Sequence, residues 1–407
     1  MKKRIVITGI GLVTPIGIGK RAFWEKALSG FSGISKLCSF DTSSFPTSLG
    51  AEIKNVDMAQ FIKKHQIQNL DRTSQFGIAA SMLALNDAKM IIDEQNKHKI
   101  AIIVGTTLGT ISFILDQQMK LSGSSYKKVH NYLGHMSLHN CLSSDIAIET
   151  GISGSAETLS SACVSSISAL DYAVKKIESD DYHACLVGGT ESAFSQLPYA
   201  GLNIINALTN TSLKPFDENA DGTVIGEGAA MFLIEELRHA QARKADIYCE
   251  IGGIESLCEA FNYLKRNRNG EVAIKTIDGA IKKSLADRSD VDLIIAHGMG
   301  ILNFDRFEAY VLKKYFGSRL KNIPLTSIKP LVGHPLAAAT AIQIAVGALS
   351  IKTEKIPHTL NTKKILDNSD INLVVEKFLT KRVDTVLINA YAFGGKCAAS
   401  ILKRYKD

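Results

Sequence analysis

The chain carries 407 residues, 45% of them hydrophobic, enough for a large packed core spread over two or more domains or one duplicated body. Its net charge of +7 favours an acidic partner, but the basic residues come in small groups without interleaved aromatics, such as Lys63-Lys64-His65, Lys127-Lys128, and Lys265-Arg266 with Arg268; they read as solvated faces and exclude a nucleic-acid surface. Seven scattered cysteines, with no C-x-x-C pair and no metal-ligand spacing to the ten histidines, exclude a disulfide framework and a structural metal and imply a reducing, cytoplasmic setting.

The basic start Met1-Lys2-Lys3-Arg4 leads into a β-branched run broken by Gly9, Gly11, Pro15 and Gly17, which reads as a first strand rather than a secretory signal. Apolar runs ending in glycine follow at residues 100–105 and 184–189, with helical stretches between them. Such alternation predicts a largely parallel sheet covered on both faces. Residues 110–150, with Gly123, Ser124, Ser125 and three histidines, read as an irregular insertion or interface. After residue 245 the pattern restarts, with strands expected at 247–253, 293–298 and 386–390. Two α/β halves, 1–245 and 246–407, are therefore expected to pack as one body, and no segment has the ~20 uninterrupted apolar residues of a membrane-spanning helix.

Two glycine pairs, Gly9-Ile10-Gly11 and Gly226-Glu227-Gly228, lack the spacing of a dinucleotide fingerprint and read as tight turns and close backbone packing. Three residues carry more chemistry. Cys163 stands where apolar residues begin to recur at helical spacing (Val164, Ile167, Leu170, Val174, Ile177), and a helix N-terminus favours a thiolate. The same neighbours suit a buried core cysteine, so the stretch alone leaves both readings open. His297, after a buried strand, and His334, in Gly333-His334-Pro335 before the Ala-rich stretch 336–349, occupy comparable points of the second half, which favours a shared crevice at the carboxyl ends of strands. A cysteine with two histidines permits hydrolysis, or carbon–carbon bond formation in which both imidazoles donate to a thioester oxygen as it becomes an enolate. No Cys-His-Asn signature accompanies them, and the second reading is preferred. Tyr391-Ala392-Phe393-Gly394-Gly395, after the last strand, reads as a mobile flap beside such a site.

Cys163 at a helix start, Lys214-Pro215-Phe216-Asp217 leading through Asp221-Gly222 to Gly226-Glu227-Gly228-Ala229, Ala296-His297-Gly298, Lys329 with Gly333-His334, and Phe393-Gly394-Gly395 follow one another in a set order. In order and spacing these motifs resemble the elongating β-ketoacyl-acyl carrier protein synthases over essentially the whole chain, closest in look to the ketosynthases of type II polyketide assembly lines. The resemblance implies the thiolase-like duplicated α-β-α-β-α five-layer sandwich, normally a dimer, and no cofactor beyond the phosphopantetheine arm of an acyl carrier protein. It implies that Cys163 accepts an acyl chain and that His297 and His334 stabilise the enolate formed when malonyl-carrier protein loses CO2. Lys329 and Glu308 would hold the histidine network. Backbone N–H groups of Cys163 and Phe393 would form an oxyanion hole, with Phe393 and Gly394 gating an acyl pocket lined by Leu108, Ile111 and Leu202. An acidic carrier protein suits the basic charge.

The chain departs from the family pattern along the carrier-arm channel. Met299 and Ile301 stand where the family has threonines that hydrogen-bond the arm, Lys396-Cys397 replaces a Thr-Asn pair, and Ala392 replaces a common glycine. These changes open a rival reading: a partner subunit similar to the chain-length factors that pair with a polyketide ketosynthase, with little condensation activity of its own. Retention of cysteine and both histidines favours the enzyme.

Overall fold

The computed structural model describes residues 3–406. The first half contributes the strands β1 (Ile5–Thr14), β2 (Ile100–Gly105), β3 (Ala156–Leu159), β4 (Ala184–Glu191) and β5 (Gly228–Glu236). The second contributes β6 (Cys249–Cys258), β7 (Leu293–Ile295), β8 (Pro324–Thr326), β9 (Asn372–Leu373), β10 (Thr385–Ala392) and β11 (Lys396–Lys403). Within the first half the strands lie in the order β3-β2-β4-β5-β1; in the second, β9-β8-β7-β10-β11-β6. In each half the first three inner neighbours run parallel and the last three antiparallel, so the two strand orders are copies with β9 added at one edge. A short antiparallel pairing of Ile5–Ile7 with residues 249–251 joins the copies into one twelve-stranded sheet, counting the two-residue strand Gly17–Ile18 beside β1.

The helices complete five layers. Helices α1 (Arg72–Asp87), α2 (Ile111–Gly123) and α3 (Cys141–Thr150) belong to the first half, and α1 and α3 cover the outer face of its strands. Next come α4 (Ser165–Glu178) and α5 (Gln196–Ile204), then α6 (Glu271–Lys283), α7 (Leu302–Phe316) and α8 (Leu336–Thr353). Helices α4 and α8 touch each other and strands of both halves, forming the middle layer, while α6 and α7 cover the outer face of the second half. Such a position requires a helix that is apolar all round. Helix α8 meets that demand with alanines at 337, 338, 339, 341, 345 and 348, all buried, whose small side chains let two sheets approach it. By length and composition α8 would also suit a bilayer, but here it is the core helix of the sandwich.

Several expected features take a different form. Gly9 and Gly11 lie inside β1 rather than in a turn: a Cβ on Gly11 would sit 1.8 Å from the Ala80 carbonyl oxygen, so the glycines let β1 press against α1. Residues 110–150 are mostly helical, in α2, α3 and the short helix Leu133–Met136, rather than irregular. The run of polar and glycine residues around 123–125 is only the break between helices. Residues 391–395 form a tight connection between the paired strands β10 and β11, with Gly394 and Gly395 at φ 76° and 78°, where a side chain would be strained.

Candidate active site

Cys163 follows β3 by four residues and precedes α4 by two, at the end of a turn in which Ala162 adopts a left-handed conformation (φ 57°). That conformation costs an alanine about 1–2 kcal/mol, and the surroundings enforce it. Ser165 Oγ accepts from the Ser161 N–H at 2.7 Å and donates to the Thr106 carbonyl at 2.9 Å, tying the turn to the end of β2. The sulfur is half-buried among apolar groups. Burial pushes its thiol up to about 12, against the pull of the Lys329 ammonium, while Glu191 adds to the rise. The helix start was expected to favour the thiolate; here desolvation outweighs it, because the cysteine stands before the helix in an apolar wall.

His297 sits in the loop after β7, and that loop is held by two carboxylates of α7. Glu308 accepts from the N–H groups of His297 (2.9 Å) and Gly298 (2.8 Å); Asp305 accepts from those of Met299 (2.9 Å), Gly300 (3.0 Å) and Phe216 (2.8 Å). Lys329 donates to the His297 carbonyl, and Gln343 of α8 donates to that of Ala296 at 2.6 Å. Gly298 has φ 35°, and a Cβ there would meet Phe216 at 2.7 Å, so the loop needs a glycine. His334 follows Gly333 (φ 68°) and donates its N–H to the Val224 carbonyl at 2.7 Å. The two imidazoles stand perpendicular with centroids 5.5 Å apart, and Tyr391 stands edge-on to His297 at 5.9 Å. Desolvation, with the nearby Lys329 charge, holds both histidines well below the usual range, so each is neutral and carries one N–H. Among the described residues neither Nδ1 has a hydrogen-bond partner.

The carboxylates and lysine behind the rings are perturbed for the same reason. Burial raises Glu308 and lifts Asp305 to about 7 despite its N–H partners, and lowers Lys329 to about 8 although Glu308 opposes the fall. Glu191, at the end of β4, is lifted by burial to about 7; its oxygens accept from the N–H groups of Thr107 (2.7 Å) and Leu108 (3.1 Å), as Glu308 does in the other half. Sequence reasoning missed Glu191 and the loop-holding role of Asp305. An isolated acid at the end of an apolar strand was the available signal.

Cys163, His297 and His334 line one cavity of about 380 Å3. Leu108, Leu202, Met299 and Phe393 line it too, and Lys329 and Glu308 lie behind the histidines. Ile111, Ile301, Gly394 and Lys396 are not among its walls: Ile111 opens α2, Ile301 bridges to Asp221, and Lys396 begins β11. The added wall residues Pro198, Gly201 and Ile205 come from α5 and its end, and Phe304 from α7. Apart from Cys163, the histidines, Thr107, Thr223 and Tyr391, the lining is apolar.

A thiol and two neutral imidazoles lining one apolar cavity where two copied halves meet suit an acyl-transferring condensing enzyme of the thiolase-like fold. Residues 2–240 match the model of the β-ketoacyl synthase N-terminal domain and residues 248–363 that of its C-terminal domain; the chain belongs to the β-ketoacyl synthase family. It is 31% identical, over 100% of its length and 99% of the relative's, to 3-oxoacyl-[acyl-carrier-protein] synthase 2 of Synechocystis sp., and 30% identical, over 99% of its length and 98% of the relative's, to putative polyketide beta-ketoacyl synthase 1 of Streptomyces cyaneus. Among solved structures it superposes on the ishigamide ketosynthase/chain length factor with a TM-score of 0.94 at 26% identity, covering 100% of both chains.

Proposed function

We propose that Cys163 accepts an acyl group from the phosphopantetheine arm of an acyl carrier protein and joins it to malonyl-carrier protein with loss of CO2. The reading is carried by one observation: the thiol and both neutral imidazoles line the same apolar cavity. In the first half-reaction the sulfur attacks the thioester carbonyl and its proton leaves as the arm's thiol departs. With the resting thiol neutral, attack is coupled to proton removal, and the Lys329 ammonium favours the charge that develops on sulfur. Backbone N–H groups of Cys163 and Phe393 would receive the oxyanion; such a donor is worth ~10²–10³ in rate.

In the second half-reaction the malonyl C–C bond to the carboxylate breaks, and the N–H groups of His297 and His334 stabilise the enolate oxygen. The α-carbon then attacks the acyl carbonyl, the thioester bond between the acyl carbon and Cys163 Sγ breaks, and the released sulfur takes a proton from solvent to return to the neutral thiol. Leu108 and Leu202 would hold the acyl chain, with Phe393 and Gly394 at its entrance. We assign Ile111, Ile301 and Lys396 no direct contact with the chain. No further cofactor is needed, and a cytoplasmic carrier-protein pathway suits the net charge of +7. The copied strand orders support a division near residue 245, and an assembly with a second, identical or related, ketosynthase subunit suits the family.

Met299 favours a second reading, that of a chain-length-factor-like partner subunit. It lines the cavity without a donor for the arm, and an unpaired arm amide costs about 1–3 kcal/mol. Decarboxylation of malonyl-carrier protein separates the two. The condensing enzyme releases CO2, and His297→Ala and His334→Ala abolish the release; an isolated protein that releases none but co-purifies with a second ketosynthase is the partner subunit.

A further inference from the structure

Lys265-Arg266 reads in the sequence as part of a solvated basic group, yet the Arg266 side chain is only 6% exposed. It pairs at 3.2 Å with Glu259, whose side chain is 1% exposed. Its guanidinium donates to the Ala392 carbonyl at 3.1 Å and the Lys396 carbonyl at 3.2 Å, the residues on either side of the turn Phe393–Gly395, and also to Cys397 Sγ. The same group lies over the Tyr391 and Phe307 rings, 5.1 and 5.0 Å from their centroids. The surrounding segment is stitched to the turn by the backbone as well: Gly394 N–H donates to the Tyr263 carbonyl and Glu259 N–H to the Gly395 carbonyl, both at 2.8 Å.

We propose that Arg266 is a positioning residue for the condensing site: it ties the two carbonyls that flank the Phe393–Gly395 turn and backs the Tyr391 ring that stands against His297. A planar fork with several fixed donors is the side chain that can hold two carbonyls and lie on a ring at once; lysine cannot. Of the three acceptors at the turn, Ala392 and Lys396 offer backbone carbonyls, and only Cys397 contributes a side chain. Burying an arginine demands that its charge be paired, and Glu259 supplies the counter-charge. The consequence for chemistry rests on the acyl-acceptor reading of Cys163, since the turn carries the Phe393 N–H assigned to the oxyanion. His297 is faced by Lys329, His334 and Arg266, and by Glu308, Tyr391 and Cys163 from the other elements around it; the Arg266 charge adds to the forces that keep its imidazole neutral.

Two variants and three readouts test this. Amide hydrogen exchange of the intact protein follows residues 391–397, transfer of octanoyl from its N-acetylcysteamine thioester to Cys163 is followed by mass, and CO2 release from malonyl-carrier protein, the step assigned to His297, is followed across pH. Arg266→Met is expected to speed exchange at 391–397 at least ~10-fold while residues 100–105 stay protected. It is also expected to slow acylation on the order of 10²-fold and to move the acid limb of the CO2-release profile, which reports the neutral His297, to higher pH. Arg266→Lys keeps the limb in place but not the protection, a split that a merely structural role would not produce. Exchange at 391–397 and an acid limb both unchanged in Arg266→Met overturn the assignment. Should the parent protein take no octanoyl group while iodoacetamide still reaches Cys163, the acyl-acceptor reading fails, and the exchange difference alone decides whether Arg266 holds the turn.

Discussion

With its thiol pushed up to about 12, Cys163 is neutral across the physiological range, so any reaction that needs the free thiolate speeds up about tenfold per pH unit. Alkylation by iodoacetamide, read at the Cys163 peptide by mass, should therefore rise between pH 7 and 10 without a plateau; a plateau near pH 7 would show that the helix start prevails over burial. The cavity wall gives a second prediction. Leu202→Trp places a larger side chain in the apolar lining and should shift acceptance toward shorter acyl chains, seen as a fall in acylation by octanoyl relative to butyryl thioester of roughly 10-fold or more. Equal loss for both chains would place Leu202 outside the acyl path. That Cys163, His297 and His334 meet in one cavity was legible in the sequence because each residue sits at a sharp chain reversal beside glycine or small residues. Arg266 was not legible: a charged residue in a loop reads as solvated, and only the fold shows that a turn some 130 residues later covers it.

Among the elements, the apolar strands were read closely, since β2 spans the expected residues 100–105 and β4 extends the expected 184–189 by two. Their side chains face helices on both sides, and a continuous apolar run is a strong signal. Helices α2 and α3 were missed because glycine, serine and histidine between them outweighed the helical spacing within each. The glycines of β1 show how a strand accommodates a close neighbour. Gly11→Ala would drive its Cβ into the Ala80 carbonyl, and urea unfolding should show a loss of about 3 kcal/mol; a loss near zero would mean that α1 shifts freely. At Glu235 of β5, burial would raise the carboxyl, but hydrogen bonds from Arg243, His239 and Thr8 outweigh it and hold the group at about 2. A depressed folded value stabilises above the ordinary range near 4.5 and is lost as pH falls toward 2, a contribution of roughly 3 kcal/mol. Glu191 and Asp305, both lifted to about 7, act in the opposite sense between pH 7 and 4, so the comparison is made against Glu235→Gln. The parent should lose stability more steeply than the variant from pH 4.5 to 2; parallel curves would remove Glu235 from the account.

At the scale of the whole molecule, two copied halves bring different chemistry to one place. The turn before α4 supplies the thiol, the matching turn before α8 supplies His334, and the loop after β7 supplies His297. The duplication was visible in the sequence as a restarted strand pattern, whereas the joining of β1 to β6 and the walls contributed by α5 depend on packing that no local pattern encodes. The measurement that bears most directly on this account is the intact mass of the protein after incubation with octanoyl-acyl carrier protein. The account predicts one added octanoyl group, located at Cys163 and absent from Cys163→Ser; an unchanged mass under conditions that load an active ketosynthase, or an acyl group found on another residue, would contradict it.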